Sequence, residues 1–552
     1  MPRLTRTLSL LLTLSLLLAS CGPQTVDNGQ PTSDLRLSTS TPPPTSDLQP
    51  STVPPSFLRV QGRNILGPNG QPIFLRGVNM DTYYYSYVWD ASAPETYAAQ
   101  SDIELLDSLG VNVIRLGLHW RYFETDLGYR LIDSYLDWCK QAGIYVILDM
   151  HVIPPEDDIF QYHFWNDPAA GQKLITLWTE IAARYAASPV VAGYDLVNEP
   201  APPAADQWWQ LAERLAAAIR TVDANHILFV ENPLIEESAF RLLPDPNVVY
   251  SFHDYEPFPV THGGAEWVGD SPVPADYAYP GPILTSLTWV NWSQDAASLD
   301  QPAARWTYWD SGDLTVPPGV EFATLKLAAD GNVGSVWFDD LELDWNGAPQ
   351  TLYNPDLETP SADDPSRPAN WFFWSDSGFR GEWSVEQARS GSHSLKISSD
   401  GDGGFGVWTQ AEWIFTRPLF RVQAGDTLRV RGWLYAPEND GGNIALGLDY
   451  LNGEYETWDR ARLMAEMQPF LEWGAAHNVP LQVGEFGAMP NAPADSRWNW
   501  IADKISVMNE AGLHWALWTY RDSDSEPPSF GLMHGSELDS RLAEILRRAL
   551  TP

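Results

Sequence analysis

The chain reads as an α/β protein: a closed (β/α)8 barrel of the TIM type, interrupted after its sixth strand by a jelly-roll β-sandwich. Three observations predict this. Short apolar runs of strand length alternate with stretches of 3.6-residue periodicity along most of the 552 residues. The runs number eight, the count that closes a barrel. Between residue 282 and about residue 450 the alternation gives way to period-two patterning rich in Gly, Asp, Ser and Trp, as in Thr427-Leu428-Arg429-Val430-Arg431-Gly432-Trp433-Leu434.

Taken in order, a hairpin is expected to turn at Asn69-Gly70. Strands follow at 73–78, 112–118, 145–150, 193–197, 227–230, 248–252, 481–483 and 514–518. Helices are expected between most of them, at 103–109, 134–141, 173–187, 207–222, 460–476, 498–511 and 538–550. An open doubly wound sheet is the competing architecture, but no glycine-rich nucleotide turn follows the first strand.

The N-terminus is a separate matter. Arg3 and Arg6 precede an apolar run at 8–18, a signal-peptide pattern too short for a stop-transfer span. Leu18-Ala19-Ser20-Cys21 resembles a bacterial lipobox, which implies that residues 1–21 are a lipoprotein signal and that Cys21 carries the lipid. Residues 22–56, mostly Ser, Thr, Pro, Asp and Gln, read as a disordered tether. A globular enzyme held at the bacterial cell surface through this anchor, monomeric and without other membrane contact, is the expectation. Cys139, the other cysteine, falls in a helical stretch and reads as a small buried apolar residue, so no intrachain disulfide is expected.

Composition narrows the partners. With 33 Lys and Arg against 72 Asp and Glu, the formal charge is −39. Such a surface repels nucleic acid and anionic lipid, while a neutral polysaccharide is indifferent to it. The 26 Trp offer flat apolar rings of the kind on which sugar C–H faces stack, although most must fill cores.

Two glutamates carry the chemistry. Glu199 closes Tyr194-Asp195-Leu196-Val197-Asn198-Glu199-Pro200, and Glu485 closes Leu481-Gln482-Val483-Gly484-Glu485-Phe486-Gly487. Each ends an apolar run at a breaker, so both carboxyls are expected on the strand-end face where barrels build their sites. Glycoside hydrolysis needs such a pair, one group to protonate the leaving oxygen and one to attack or to activate water.

Over residues 57–283 and 450–552 the chain resembles glycoside hydrolase family 5, the cellulase-like retaining enzymes. The resemblance implies a role for each of eight residues. Arg115, in Val113-Ile114-Arg115-Leu116, supports the nucleophile, and His151 follows the third strand in Leu148-Asp149-Met150-His151. Asn198 contacts the sugar 2-hydroxyl and Glu199 is the acid/base. His253 and Tyr255, in Phe252-His253-Asp254-Tyr255, lie near the acid/base and the nucleophile respectively. Glu485 is the nucleophile, and Trp518 is the platform beneath the reacting sugar. A guanidinium and a phenol beside Glu485 are expected to keep it ionised, and its charge to raise the pKa of Glu199. No cofactor or metal is expected: His119, His151, His163 and His253 are scattered, without metal-ligand spacing. Trp120, Trp165 and Trp267 are candidate subsite residues.

Glu199 and Glu485 lie 286 positions apart, where three strand–helix units need roughly 100 residues. The excess, 284–449, is the sandwich. Leu352-Tyr353-Asn354-Pro355 and the run from Ser390 to Leu395 resemble the opening of carbohydrate-binding modules of families 4 and 9. Val336-Trp337-Phe338-Asp339-Asp340-Leu341 resembles their close, yet precedes it, which implies one circularly permuted sandwich. Trp371, Trp374, Trp383, Trp408 and Trp413 are its candidate platform. The expected function is retaining, endo-acting hydrolysis of β-1,4-glucan. Mannan, xyloglucan, mixed-linkage glucan and glycolipid are the alternatives within the family, and a non-catalytic glycan-capture lipoprotein is the rival outside it.

Overall fold

The computed structural model describes residues 57–82, 97–156, 161, 163–234, 240–293, 298–299, 302–362, 364–376, 378–401, 403–410, 419–439, 442–521 and 530–550. Cys21, the tether and Trp413 lie outside the described residues. Eight parallel strands close into a barrel: β1 (Arg76–Met80), β2 (Val113–His119), β3 (Tyr145–Val152), β4 (Val191–Asp195), β5 (Ile227–Glu231), β6 (Val248–His253), β7 (Leu481–Phe486) and β8 (His514–Leu517). Each strand pairs with its successor, and β8 returns to β1.

Three expected boundaries shift. Pro72–Ile73 pairs within a small antiparallel sheet with Arg59–Gln61 and Asn64–Leu66, so the first barrel strand starts only at Arg76. β4 stops at Asp195, because the chain then leaves the regular ladder and Asn198 N–H donates to the Met150 carbonyl at 3.2 Å. Glu199 therefore sits four residues past its strand, whereas Glu485 lies within β7. The helix expected at 460–476 is two, Arg460–Glu466 and Gln468–His477, since Pro469 in the first turn of the second has no N–H to continue the ladder.

Helix ends follow local chemistry. The Asp167 carboxylate accepts the Ala169 N–H at 2.8 Å ahead of Pro168–Tyr185, with Pro168 where a missing N–H costs nothing. Leu127–Ala142 ends at Gly143 in the left-handed region, φ 73°.

Alternation along the strands stacks the barrel interior in layers. At the bottom, Val113, Ile147, Ala192, Ile227, Phe229 and Val249 pack with Leu58 and Ile65 of the small sheet, which plugs that end. Two residues further along β2, β3 and β5 the chain turns polar at Arg115, Asp149 and Glu231, and His253 and Glu485 join them from the ends of β6 and β7. This apolar floor beneath a charged layer positions the site.

Between β6 and β7 the chain forms two seven-stranded antiparallel sheets. One runs in the order 281–292, 443–458, 322–330, 405–409, 372–375, and the other 303–310, 427–436, 334–345, 394–399, 379–384, each with two short accessory strands. Residues from before and after position 350 share one core, Leu325 and Phe338 with Leu395, Leu434 and Leu446. The incoming and outgoing strands are neighbours, Gly281 opposite Trp458, so the sandwich leaves and rejoins the barrel at one point. The sheets begin and end outside the expected 284–449, and Ile283, Leu284, Phe322, Leu451 and Trp458 belong to the barrel's own apolar core. A polar clasp adds to this contact: the Asp270 carboxylate accepts the backbone N–H groups of Ala362 (2.9 Å) and Asn370 (3.2 Å). Among the described residues no helix is long and apolar enough to cross a membrane.

Candidate active site

Arg115 is fully buried at the centre of the polar layer. Its Nε donates to Asp195 at 2.8 Å, one terminal nitrogen donates to Glu485 Oε1 at 2.8 Å and Asn79 Oδ1 at 3.1 Å, and the other donates to Glu231 Oε1 at 2.8 Å and Asn198 Oδ1 at 2.9 Å. Asp149 completes the ring at 3.2 Å. Burial alone would lower the guanidinium pKa, but four carboxyl groups, those of Asp149, Asp195, Glu231 and Glu485, raise it well above its ordinary value. Only Arg has enough donors in a fixed fork to serve so many acceptors.

Above this ring the two expected carboxyls converge. Glu485 Oε2 accepts the Tyr255 hydroxyl at 3.0 Å, and Glu199 Oε1 lies 2.8 Å from His253 Nδ1. The same ring nitrogen is 3.6 Å from Glu485 Oε2, and Nε2 is 3.1 Å from Glu231 Oε1. One oxygen each of Glu199 and Glu485 lies within 4.8 Å of the other. His151 donates to or accepts from Asp149 at 2.6 Å and stacks on Trp518, centroids 5.4 Å apart. All eight sequence-derived barrel residues thus fall in one cluster. Gly484 lets β6 and β7 approach: a Cβ there would sit 2.7 Å from Ser251 Oγ and 2.9 Å from His253 Nε2.

The electrostatics run against the sequence expectation. Burial pushes Glu485 up, and the charges of His253 and Arg115 offset this only in part, so its pKa lies above the ordinary carboxylate value. Burial also pushes Glu199 up, but there the hydrogen bond and charge of His253 win and hold it below. The reason is His253 itself: burial would lower it, yet Glu231, Glu485 and Glu199 surround the ring and raise it well above its ordinary value. Glu199 and Glu485 with His253 also offer three ligand atoms to a cation. Both His253 nitrogens already face carboxylates and Arg115 already neutralises Glu485, so the donor set is committed within the protein.

Other expectations change. Trp120 is buried, its Nε1–H donating to the Glu156 carbonyl at 2.6 Å, and it serves packing rather than a subsite. Trp165 donates to Gln161 Oε1 at 2.9 Å, and Trp267 packs with Tyr255 and Trp518 against the apolar cluster of Phe258, Val268 and Phe530. In the sandwich, Trp371 and Trp408 are core residues, and Trp383 stacks on His393. Only Trp374 of that described set is openly exposed.

The sequence profile described as Cellulase (glycosyl hydrolase family 5) matches residues 66–309, which span β1 to β6 and run into the sandwich. Over these residues the chain is similar to glycosyl hydrolase family 5. Among similar proteins, a "Beta-xylosidase" of Phanerodontia chrysosporium is 28% identical over 252 residues, 37% of this chain and 52% of that protein. "Endoglucanase C" of Acetivibrio thermocellus is 28% identical over 209 residues, 35% of this chain and 61% of that protein. The chain thus spans between half and two thirds of the length of these relatives. A solved endoglucanase, Cel5A of Thermotoga maritima, aligns over 85% of this chain and 96% of its own at 14% identity and a TM-score of 0.44.

The residues of the polar layer missed from sequence are Asn79, Asp149, Asp195 and Glu231. Their signal was a polar residue inside an apolar strand, and Asp149 and Glu231 lie two places beyond the floor residues Ile147 and Phe229. Replacing the hub tests the electrostatic reading. Arg115→Met is expected to cost about 3–5 kcal/mol at pH 7, because it strands buried carboxylates. Asp195 and Glu485 lie above the ordinary carboxylate value even with the cation present, and losing it raises them further, so the penalty grows as pH rises past about 4 and fades below it. Urea denaturation of variant and wild type at pH 5 and pH 7 checks this; an equal loss at both would mean the damage is packing alone.

Proposed function

We propose that the chain is a retaining, endo-acting β-glycanase whose substrate is β-1,4-glucan, with Glu199 as acid/base and Glu485 as nucleophile. The observation that carries the reading is the pair of carboxyl oxygens within 4.8 Å of each other, one held by His253 and the other by Arg115 and Tyr255. Oxygens that lie within 4.8 Å fit the close carboxyl pair of double displacement better than the pair about 6.5–9.5 Å apart that admits a water between sugar and base. In the first step a Glu485 oxygen bonds to the anomeric carbon as the glycosidic C–O bond breaks, and the leaving oxygen takes its electron pair and a proton from Glu199. In the second, water gives a proton to Glu199 and displaces Glu485. Asn198, fixed by Arg115, is suited to bind the sugar 2-hydroxyl, and the Trp518 ring on His151 to support the sugar face. The endoglucanase names of relatives favour glucan over mannan or glycolipid. A glycan-capture lipoprotein would have no use for so costly a buried charge cluster.

The sandwich fits a second, non-catalytic glycan site, which keeps Trp374 of the residues the sequence suggested and adds others. On the outer face of its first sheet Trp289 and Trp374 are 53% and 57% exposed. Between them Trp292 and Phe405 border a cavity of about 110 Å³ that also presents Lys326, Asp330 and Asn443. Flat rings flanking a few polar groups suit a sugar chain. The N-terminal reading completes the proposal: a lipid on Cys21 holds the enzyme at the cell surface.

Glu485→Gln is expected to abolish turnover of soluble β-glucan, measured as reducing ends, while leaving the melting curve intact; activity above a few per cent would remove the nucleophile assignment. Glu199→Gln should keep forming the intermediate from activated aryl glycosides and then stall, with azide restoring turnover. The double variant Trp289→Ala, Trp374→Ala should release the protein from insoluble glucan in a pull-down, with hydrolysis of short soluble substrates unchanged; undiminished retention would refute that face. Cys21→Ala should block lipid attachment, leaving either unprocessed precursor or soluble product, and a wild-type mature chain found wholly soluble with an N-terminus beyond residue 21 would count against the anchor.

A further inference from the structure

Glu231 is the one buried carboxylate of the cluster that touches both the backbone and the hydrogen-bond partner of the acid/base glutamate. It ends β5 and is only 2% exposed. Its Oε2 accepts the Glu199 N–H at 2.8 Å. Its Oε1 accepts from Arg115 at 2.8 Å and makes an ion-pair contact of 3.1 Å with His253 Nε2. Its own carbonyl accepts Trp208 Nε1–H at 2.8 Å, which pins the strand end. Every group facing the two side-chain oxygens is an N–H donor. A carboxylate accepts at both oxygens, whereas an amide must turn its NH₂ toward one of those donors.

Two features of Glu199 need such a partner. Its φ is +43°, in the left-handed region that a glutamate does not adopt without being held there. Its Oε1 is paired with His253 Nδ1 at 2.8 Å, which requires a proton on that nitrogen or on Oε1 itself. An anion on the far side of the imidazole favours protonation of the ring and fixes its plane.

We propose that Glu231 is a positioning residue for the acid/base: it locks the Glu199 backbone and orients a charged His253 onto Glu199 Oε1, leaving Oε2 for proton transfer with the glycosidic oxygen. The inference rests on the glycosidase reading and adds a residue to it. The charged groups facing His253 are Glu231 from β5, Glu199 from beyond β4 and Glu485 from β7. Arg115 from β2 contacts Glu231 and Glu485 and offsets part of their charge, and His151 from β3 acts on Glu199 and Glu485 from across the cleft. Asp254, next in the chain, is already paired with Lys504. Burial lowers the His253 pKa, and Glu231 is the largest of the charges that raise it.

The test compares wild type, Glu231→Gln and Glu231→Asp on dinitrophenyl and phenyl β-cellobiosides across pH. A dinitrophenolate leaves with little protonation, whereas a phenolate needs the acid. Glu231→Gln should lose about 100-fold in kcat/KM on the phenyl substrate and far less on the dinitrophenyl one. Its basic limb should move to lower pH by about one unit, since removing an anion weakens the hold on the proton shared by His253 and Glu199. Glu231→Asp, which keeps the charge but shortens the reach, should keep the basic limb and still discriminate between leaving groups; it decides the matter if the Gln variant does not melt cooperatively. Equal losses on both substrates with an unmoved basic limb would make Glu231 merely structural. A wild type inert on both cellobiosides would instead sink the glycosidase reading beneath the proposal.

Discussion

A guanidinium with no exposed surface, ringed by Asp149, Asp195, Glu231 and Glu485, sets the terms for the rest of the barrel. Removing one positive and four negative groups from water is costly unless each is paired. The cluster meets that condition through Arg115 and through protons. Burial raises Asp195 well above the ordinary carboxylate range even against Arg115, so the ring need not carry four full negative charges. The arrangement follows from strand geometry. Neighbouring parallel strands place Asn79 beside Arg115 and Asp149 beside Asp195, and the inward alternation points these groups at one axis. The apolar floor below, closed by Leu58 and Ile65, keeps water from entering that end.

The inserted sandwich is tied to this centre by chain connectivity and by packing. It departs from the segment after Tyr255, which hydrogen-bonds Glu485, and returns a short distance before β7, which carries Glu485. The apolar cluster of Phe258, Val268, Met489 and Phe530 joins the segments that follow β6, β7 and β8, with Tyr255 and Trp518 packed on it. Phe322 and Leu451 of the sandwich enter the barrel core, and Asp270 clasps the loop at 362–370. A cut at 284 and 449 would therefore sever core contacts, and the incoming and outgoing strands from Gly281 and to Trp458 form the structural base of the insertion.

Much of this was readable in the sequence because barrel strands are short, apolar and separated by periodic helices. Glu199 and Glu485 stood out as charges closing such runs, and their six companions followed from a family resemblance. The inward residues Asp149, Asp195 and Glu231 were equally visible in Leu148-Asp149-Met150, Tyr194-Asp195-Leu196 and Val230-Glu231-Asn232. They were missed because a single buried acid in a strand has no evident partner until strands from distant segments close around Arg115. The sandwich shows the opposite error. Trp374, Trp371 and Trp408 look alike in sequence, but alternate faces of a sheet send the first to solvent and the others to the core. Trp289 and Trp292 carried no sequence signal beyond their type, since their neighbours across the sheet, Leu451 and Asp449, lie about 160 positions away in the chain.

The reversal of the two carboxyl pKa directions follows from the position of His253. His253 lies between Glu199 and Glu485 and close to both, so its charge favours the ionised form of whichever carboxyl it hydrogen-bonds, and that is Glu199. On the proposed pathway this balance cannot stay fixed. Once a Glu485 oxygen becomes part of a glycosyl ester, that residue carries no charge, and His253 loses one of the anions that keep it protonated. The remaining hold on its proton is then Glu231 on one nitrogen and Glu199 on the other. Making the nucleophile covalent thus weakens the proton affinity of the His253–Glu199 pair in the step where Glu199 must accept a proton from water. The fixed charge of Glu231 counteracts that fall throughout the cycle, because it takes no part in bond making and is anchored to Arg115, whose charge does not change.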